Sequence, residues 1–346
     1  MEKTDIVSML PDELEQYVTE MGERSFRAKQ IFSWLHQKRA VSFDEMTNLP
    51  EKLRERLKEE AVIVRPSRVR VLESSSHDTK KFLFRLSDGN VIESVWMKHH
   101  HGNSVCISSQ VGCRMGCRFC ASTLGGCVRN LSASEILGQV YAIRGETGER
   151  ISNIDMMGSG EPLDNYDETL RFLKLVSSPD GADFSLRNVT LSTCGLVPAI
   201  RRLAREHLQL TLAVSLHATN DAERREIMPV ARQYPIEDLI GACRYYFHET
   251  GRRISFEYAL IEGKNDTDRH ASELAGLLRG MNCHVNLIPA NPVRERNFRR
   301  STPAEVRAFY KKLEKYGINV TIRREMGADI DGACGQLRQN YISENN

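Results

Sequence analysis

The sequence predicts an α/β fold: a partial (β/α)6 TIM-like barrel that follows a small helical domain and a short antiparallel β extension. Three observations carry this prediction. Apolar residues recur at helical spacing over residues 10–60, apolar and polar residues alternate over residues 62–97, and six strand-then-helix units follow Ser104. Because strands that alternate with helices pair in parallel through right-handed crossovers, six such units favour a sheet that curls towards a barrel.

Residues 1–61 are predicted to form the helical domain. Pro11 and the acidic residues after it are typical of the first turn of a helix. In a second helical segment, residues 26–38, the apolar side chains are expected on one face. These apolar residues are Phe26, Ile31, Trp34 and Leu35.

Residues 62–98 change to a strand pattern and are predicted to form the β extension. Val69 and Val71 alternate with arginines, and a second alternating run ends at a Ser-Asp-Gly-Asn turn, residues 87–90. A short antiparallel sheet is therefore expected between the helical domain and the rest of the chain.

The core, residues 99–330, is predicted to hold the six β/α units, and residues 331–346 form a C-terminal tail. The predicted strands are 105–109, 153–157, 188–192, 210–216, 255–260 and 284–288, and the predicted helices are 132–142, 168–176, 198–205, 236–249, 271–278 and 303–315. Functional loops of parallel barrels lie at the carboxyl ends of the strands. A cysteine-rich loop directly follows the first predicted strand, so we expect it at the mouth of the barrel.

Composition limits the classes of protein to consider. The 48 basic and 46 acidic residues leave a net charge of +2, so a polyanionic partner has to be held by local basic patches. No segment approaches the roughly 18 apolar residues of a membrane span, and the first residues are polar. We expect a cytoplasmic protein whose nine cysteines are thiols, cluster ligands or catalytic groups rather than a disulfide framework.

Three cysteines, Cys113, Cys117 and Cys120, lie within eight residues, with three and then two residues between them. Three thiolates at this spacing can hold three irons of a [4Fe-4S] cluster and leave the fourth iron open for chemistry. A zinc site is the alternative, but it requires a fourth ligand at a matching spacing. The nearby histidines, residues 99–101, cannot all face one metal because they are consecutive, and we interpret them as a solvated loop.

A glycine-rich turn, Gly158-Ser159-Gly160-Glu161-Pro162, follows the second predicted strand. Its two glycines allow the backbone to come close to a ligand and expose amide and carbonyl groups to it. Taken alone, such a turn could simply connect a strand to a helix. With the cysteine loop one strand earlier, the turn is expected to face the open iron.

The CxxxCxxC motif followed by a Gly-Glu-Pro turn resembles the radical S-adenosylmethionine (SAM) superfamily, and within it the chain resembles the RlmN family. The matching segments run through nearly the whole chain beyond residue 93: residues 106–113, 128–131, 156–163, 191–193, 215–218, 286–289 and 329–337. The resemblance implies a methyltransferase acting on adenine C2 in 23S rRNA, near the peptidyl transferase centre, and in tRNA, beside the anticodon. It also implies a [4Fe-4S] cluster and two SAM molecules per turnover.

The chemistry explains why such an enzyme needs more than a methyl donor. Adenine C2 is electron-poor and cannot attack the methyl group of SAM directly. The resemblance implies that Cys334 is first methylated, that a 5'-deoxyadenosyl radical activates this methyl group, and that the resulting carbon radical adds to C2. Glu93 then takes the ring proton, and Cys106 attacks the Cys334 sulfur to release the product with formation of a disulfide.

The resemblance also implies a set of SAM contacts at or just after strand ends: Gly160, Glu161, Ser192, Ser215, Leu216, His217 and Asn291. Each catalytic residue has a plainer interpretation. Cys334 and Cys106 could be inert buried thiols, and alternation alone makes Glu93 a solvated strand residue. Four further cysteines, Cys127, Cys194, Cys243 and Cys283, have no assigned chemistry, and Cys243 is predicted to lie in the core.

RNA contacts are expected from two basic regions. Arg294, Arg296, Arg299 and Arg300 surround Phe298, with Lys311, Lys312, Arg323 and Arg324 downstream; the helical domain adds Arg24, Arg27, Lys29, Lys38 and Arg39. Arginine planes and an aromatic ring suit phosphate contact and base stacking, although a solvated loop has the same composition. The target base has to be extruded to reach Cys334. A flavodoxin or ferredoxin is the expected electron donor, and a monomer is expected.

Two other functions remain open at the level of sequence. The related Cfr enzymes use the same cysteines but methylate adenine C8 and confer antibiotic resistance, although the Gly-Glu-Pro turn resembles RlmN more closely. A non-catalytic cluster protein, either an electron carrier or a sensor, is the alternative from another class, but it gives no reason for Cys106 and Cys334.

Overall fold

The computed structural model describes residues 3–289, 299–324, 326–330 and 336–345. Its N-terminal part is helical as predicted, with α1 (Pro11–Glu20), α2 (Phe26–His36) and α3 (Glu51–Glu60); the short strands β1 (Thr4–Asp5) and β2 (Ala61–Val62) pair in parallel where this part begins and ends. The predicted apolar face of α2 is only partly correct. Ile31 and Leu35 are buried, but Phe26 is 45% exposed because it begins the helix, where the Arg27 guanidinium lies over its ring.

The helical part shares one apolar core with the rest of the chain, and polar contacts cross the boundary. His36 on α2 hydrogen bonds through Nδ1 to the hydroxyl of Tyr141 at 3.1 Å. Gln37 donates from Nε2 to the carbonyl oxygen of Asp180 at 3.0 Å. The helical domain is therefore fixed to the barrel by a packed interface.

The β extension consists of β3 (Ser67–Glu73), β4 (Thr79–Arg85) and β5 (Val91–His99), which pair in antiparallel order. It continues directly into the main sheet because β5 pairs with β6 (Gly102–Cys106), with Val95 opposite Cys106. The run of histidines is not wholly a solvated loop, which corrects the sequence prediction. His99 is the last residue of β5 and lines the central cavity, whereas His100 and His101 are exposed.

The remaining elements follow in chain order. The strands are β7 (Gln110–Gly112), β8 (Cys127–Asn130), β9 (Ile151–Met156), β10 (Val189–Thr193), β11 (Thr211–Ser215), β12 (Ile254–Leu260), β13 (Cys283–Pro289) and β14 (Val320–Ile322); the helices are α4 (Ala133–Thr147), α5 (Tyr166–Ser177), α6 (Val197–Ala204), α7 (Asp221–Ile227), α8 (Ile236–Thr250), α9 (Asp268–Leu278), α10 (Pro303–Lys315) and α11 (Gln336–Asn345). The predicted α/β fold and all six predicted strand–helix units are confirmed.

Ten strands form one mixed sheet in the order β14-β13-β12-β11-β10-β9-β6-β5-β4-β3. Within this sheet, β6 and the six strands β9 to β14 pair in parallel. The barrel part therefore has seven strands, one more than predicted. Within the described residues β3 and β14 are edge strands, so this sheet does not close and the barrel is partial. None of the described helices is long and apolar enough to cross a membrane.

The start of the barrel differs from the prediction. The first barrel strand ends at Cys106 instead of Ser109, and β7 separates it from the cysteine loop, which lies between β7 and its antiparallel partner β8. Gly112 allows this hairpin to close because its φ is +82° and a Cβ there would lie 2.0 Å from the carbonyl oxygen of Gly126. The cysteine loop, residues 113–120, is therefore held at the top of its own hairpin.

The C-terminal tail contains a helix that the sequence did not predict. Leu337 on α11 is buried and packs with Leu83 and Val91 of the β extension, and Tyr341 and Ile342 pack against the same cluster. Arg85 also donates a hydrogen bond to the Tyr341 hydroxyl at 2.9 Å. The β extension is therefore the surface on which the tail folds.

Candidate active site

A cavity of about 660 Å³ lies at the centre of the molecule. Its lining comes from the cysteine loop, strands β4 to β6, the parallel strands β9 to β13, and the segment after β14. It contains nine of the residues predicted for the site: Cys106, Cys113, Cys117, Cys120, Gly160, Glu161, Ser192, Ser215 and His217. The fold therefore brings together residues that are spread over more than 100 positions of sequence.

The three cysteines of the motif all face this cavity. Burial raises the pKa of Cys113 to about 12 and also raises the pKa of Cys117; Cys120 raises both pKa values further, and Cys113 adds to the increase at Cys117. The thiols of Cys113 and Cys117 are thus neutral when nothing is bound, and a metal has to displace their protons. The three thiols are not gathered closely enough in the described structure to hold a single metal ion, but three cysteines that line one cavity have the chemistry of the donor set of a cluster that keeps one iron open.

The cysteine loop is fixed by backbone hydrogen bonds on two sides. The Cys113 N–H donates to the carbonyl oxygen of Gly126 at 2.8 Å, and the Arg118 N–H donates to that of Ile227 at 2.9 Å. Thr123 Oγ1 donates to the carbonyl oxygen of Cys120 at 2.9 Å. The backbone of the loop is therefore ordered by the protein itself.

The glycine turn has a different physical basis from the one predicted. A Cβ on Gly158 would lie 2.7 Å from the carbonyl oxygen of Ile107, and a Cβ on Gly160 would lie 2.6 Å from Ser109 Oγ. The amides of Ser109 and Gln110 both donate to the Ser159 carbonyl oxygen, at 2.9 and 3.1 Å. The glycines are required first for close packing against the chain after β6, although Gly158 and Gly160 also line the cavity.

Glu161 is buried, and its carboxylate is used within the protein. Oε2 accepts the Cys194 N–H at 2.7 Å, and Oε1 accepts the Leu163 N–H at 3.1 Å. Burial raises the pKa of Glu161 despite these hydrogen bonds. The Glu161 side chain therefore connects the turn to the end of β10. Cys194 lies in the cavity wall beside Cys117, although the sequence analysis assigned no chemistry to it.

The ends of β10 and β11 contribute Ser192, Ser215 and His217 to the cavity, whereas Leu216 is fully buried behind them. His217 Nδ1 accepts the Ala259 N–H at 2.9 Å, which places its proton on Nε2. Burial, together with the nearby Arg224 cation, lowers the pKa of His217 to about 3. The ring is therefore neutral at physiological pH, and it packs edge-on against Phe119 of the cysteine loop.

On the side of the β extension, Cys106 lines the cavity and Glu93 lies behind the lining in the strand next to it. The interpretation of Glu93 as a solvated residue is wrong, since its side chain is only 5% exposed. Its carboxylate lies 3.4 Å from the ammonium of Lys81, whose side chain is 0% exposed and lines the cavity. Glu93 also accepts the backbone N–H of Arg338 on α11.

Lys81 was not identified from the sequence. The available signal was weak, because Lys81 on β4 and Glu93 on β5 both stand at positions where alternation alone predicts a solvated side chain. Only the register, which places Lys81 opposite Val95 and Leu83 opposite Glu93, makes the two charges neighbours. Asp155 and Glu257 were missed for the same reason, and both line the cavity with pKa values raised by burial.

Arg224 was also missed, and its surroundings show whether the site fits a cluster. Its side chain is completely buried, and its Nη1 has no hydrogen-bond partner among the described residues. Its charge opposes the effect of burial on the pKa of Cys117. A buried cation beside a cysteine ligand is suited to an anionic thiolate cluster, so the residues present fit a [4Fe-4S] group.

Five of the predicted residues lie outside the described part of the chain: Asn291, Arg294, Arg296, Phe298 and Cys334. Of the remaining basic residues near the predicted mouth, Arg300, Arg323 and Arg324 line the cavity. Lys312 on α10 does not line the cavity, and its ammonium lies 2.6 Å from the carboxylate of Asp268.

Comparison with known proteins agrees with this arrangement. A family model described as the ribosomal RNA large subunit methyltransferase N-terminal domain matches residues 4–63, and a model of the radical SAM superfamily matches residues 107–275. A Lachnospira eligens protein named probable dual-specificity RNA methyltransferase RlmN is 58% identical over 341 residues, 99% of this chain and 97% of that protein. A Pelotomaculum thermopropionicum protein of the same name is 59% identical over 327 residues, 94% and 89% of the two chains.

A solved structure is similar over almost the whole chain. The crystal structure of a radical SAM methyltransferase from Sphaerobacter thermophilus superposes with a TM-score of 0.92 and 45% sequence identity, covering 96% of this chain and 98% of that one. The helical part, the β extension and the barrel thus occur together in that methyltransferase.

Proposed function

The chain belongs to the RlmN family of radical SAM methyltransferases, and from this membership we propose that it methylates C2 of adenosine in 23S rRNA and in tRNA. One observation carries the proposal beyond family membership. A single cavity joins the three motif cysteines to Cys106, with the buried Glu93 directly behind its wall. An electron carrier or sensor needs only the first of these features.

The binding residues have distinct tasks. Cys113, Cys117 and Cys120 hold a [4Fe-4S] cluster, which when bound with SAM supplies the one-electron reduction that generates a 5'-deoxyadenosyl radical. The backbone of the turn at Gly160 and Glu161 and the strand-end residues Ser192, Ser215, Leu216, His217 and Asn291 bind and orient SAM. Because His217 is neutral and fixed by Ala259, it offers a directed Nε2 donor rather than a charge.

The catalytic step uses Cys334 together with Cys106 and Glu93, which lie on the side of the β extension. The Cys334 sulfur carries the methyl carbon that becomes bonded to adenine C2, and the Glu93 carboxylate accepts the proton that C2 loses. The Cys106 thiol then attacks the Cys334 sulfur as the bond from that sulfur to the transferred carbon breaks, and the carbon takes up the proton that the thiol loses; methyladenosine leaves, and a Cys106–Cys334 disulfide remains for reduction. Arg338, whose N–H binds Glu93, is only four residues from Cys334 in the sequence, which supports their joint action.

Further partners follow from the charge distribution. Arg300, Arg323 and Arg324 at the cavity suit RNA phosphates, and the helical domain, residues 1–61, provides a second RNA contact through its basic residues. A flavodoxin or ferredoxin in the cytoplasm supplies the electron, and the enzyme acts as a monomer.

The test is nucleoside mass spectrometry of 23S rRNA and tRNA from cells that lack the modification. The RNA is incubated anaerobically with reconstituted protein, SAM and a reductant. We expect 2-methyladenosine in both RNA fractions, its loss in Cys334→Ala, and its retention in Cys243→Ala, which alters a core cysteine on α8. Formation of 8-methyladenosine would instead assign the Cfr activity, and SAM cleavage without any methyladenosine would reject the proposed substrate.

A further inference from the structure

Arg224 on α7 is the largest fully buried side chain of the described structure, with 0% exposure. Its Nη2 donates to the carbonyl oxygens of Cys194 at 2.7 Å and Ser215 at 3.2 Å, and its Nε donates to that of Leu216 at 3.2 Å. These three carbonyls belong to the ends of β10 and β11, the two strands that present Ser192 and Ser215 to the cavity. Arg224 therefore joins the strand ends of the proposed SAM site.

The charge of Arg224 is not matched by these contacts. Within the described chain all of its hydrogen bonds go to neutral carbonyl oxygens, and Nη1 is buried without a partner. Asp221, one turn earlier on α7, uses its carboxylate to accept the Ile236 N–H at 2.8 Å and faces Arg225 at 3.9 Å. An arginine remains protonated even when burial lowers its pKa, so a cation lies in the interior without an ion pair to any described residue, and Asp221 acts on it only at longer range.

The surroundings of Arg224 place this cation at the cysteine loop. Arg224 shares α7 with Ile227, which packs against Cys117 and whose carbonyl oxygen binds the Arg118 N–H at 2.9 Å. The guanidinium also packs closely on Gly195, where a Cβ would lie 3.1 Å from Nη2. Glu161, the acidic residue of the glycine turn, accepts hydrogen bonds from the backbone amides of Cys194 and Leu163 and makes no ion pair with Arg224 in the described structure.

We infer that Arg224 is a positioning residue with a second role: it is the buried counter-charge of the [4Fe-4S] cluster and makes that cluster easier to reduce. This inference rests on the proposed function, since it requires the cluster at Cys113, Cys117 and Cys120. The physical reason is the low dielectric of the interior, where a fixed cation interacts strongly with nearby charge. One-electron reduction adds a negative charge to the cluster, so the cation stabilises the reduced form more than the oxidised form.

The test is an anaerobic redox titration of the reconstituted protein with dithionite and mediators, in which the reduced cluster is measured by electron paramagnetic resonance. Arg224→Gln keeps hydrogen-bond donors but removes the charge. We expect its midpoint potential to fall, so that several-fold fewer clusters are reduced at a fixed potential. Arg224→Lys keeps the charge and loses the planar fork, so its potential should stay near that of the wild type while SAM binding weakens.

The matched control is Arg225→Gln, the next residue on α7, whose side chain is 49% exposed and screened by solvent. Its potential should equal that of the wild type. An unchanged potential in Arg224→Gln overturns the inference. If Arg224→Gln does not fold, Arg224→Lys decides: a potential clearly below that of the wild type overturns the inference, and a retained potential with weaker SAM binding supports it.

Failure of the proposed function has a different signature. The RNA assay then gives no 2-methyladenosine, whereas the potential difference between the wild type and Arg224→Gln is still measured; only a wild-type protein that takes up no [4Fe-4S] cluster, by iron and sulfide content, removes the basis of both proposals. A wild-type cluster with the same potential as Arg224→Gln rejects only the role of Arg224.

Discussion

Lys81 and Glu93 face each other on neighbouring strands, and the side chains of both are almost completely buried. Arg224 is buried on the other side of the cavity. Burial of charge is costly, and a protein retains it where the charges are paired or act on something. All three residues lie at or next to the cavity wall. The charges whose burial costs free energy are therefore found at the proposed active site.

Replacement of Lys81 tests this cost directly. We expect Lys81→Met to lower the free energy of unfolding by about 3–5 kcal/mol, because it leaves the buried carboxylate of Glu93 without this cation. Urea denaturation measures the change. Lys80→Met is the control, since Lys80 is partly exposed and pairs with Glu73, and a loss below about 1 kcal/mol is expected there. Equal losses in the two variants would show that burial of Lys81 is not the cause.

The glycine turn gives a second residue-scale prediction. Gly160→Ala should destabilise the protein by about 2 kcal/mol or more and abolish SAM binding, because φ is +111° and the new Cβ meets Ser109 and Gln110. Thermal unfolding and equilibrium dialysis with SAM provide the measurements. Gly145→Ala lies within α4 with nothing within 4 Å of the new Cβ, and it should stabilise slightly. Unimpaired SAM binding in Gly160→Ala would contradict the packing requirement.

At the scale of elements, the β extension and α11 form one unit around Glu93. The extension supplies the apolar surface, and α11 places Leu337 on it and Arg338 against Glu93 and the carbonyl oxygen of Val91. Asp329, just before the tail, accepts the Ser75 N–H of the β3–β4 turn at 2.7 Å. The extension therefore holds the chain both before and after the segment that contains Cys334.

We expect Leu337→Asp to detach α11 from the β extension and to abolish formation of 2-methyladenosine. Cluster content and SAM binding should be retained, because α11 supplies none of the proposed cluster ligands. Mass spectrometry of the RNA and iron analysis of the protein measure the two effects. Ser343→Asp introduces the same charge on the exposed side of α11 and should remain active. Normal methylation by Leu337→Asp would show that the docking of α11 is dispensable.

At the scale of the whole molecule, the helical domain and the barrel share an apolar core, and His36 is buried where they meet, next to Tyr141. Burial lowers the pKa of His36 to about 3, so the folded protein keeps this ring neutral when an unfolded chain would protonate it. Its contribution to stability is complete above pH 6.5 and is lost progressively as the pH falls towards 3. The expected slope is about 1.4 kcal/mol per pH unit.

The corresponding experiment compares unfolding free energies between pH 7 and pH 4. We expect His36→Phe to reduce the loss of stability on acidification, because the ionising group is removed from the interface. His248→Phe, which replaces an exposed histidine on α8, should leave the pH dependence unchanged. Identical pH profiles for His36→Phe and the wild type would show that His36 does not control acid stability.

Much of this architecture follows from sequence because its causes are local. The spacing of Cys113, Cys117 and Cys120 predicts a cluster ligand set, since a ligand loop needs only short-range geometry. Helical and strand periodicities predict the six β/α units, because each element buries one face. Cys243 was assigned to the core by the same reasoning, and it is fully buried.

Tertiary structure alone decided the features that depend on contacts between distant segments. The burial of Glu93 depends on the register of β4 and β5 and on α11, and alternation within one strand cannot show it. The reason for Gly160 lies in the chain near Ser109, and the position of Arg224 depends on the ends of β10 and β11. The sequence by itself therefore determined the chemistry of the cluster loop and the class of fold. Only the tertiary structure determined which charges are removed from water, because burial is a property of the packed molecule.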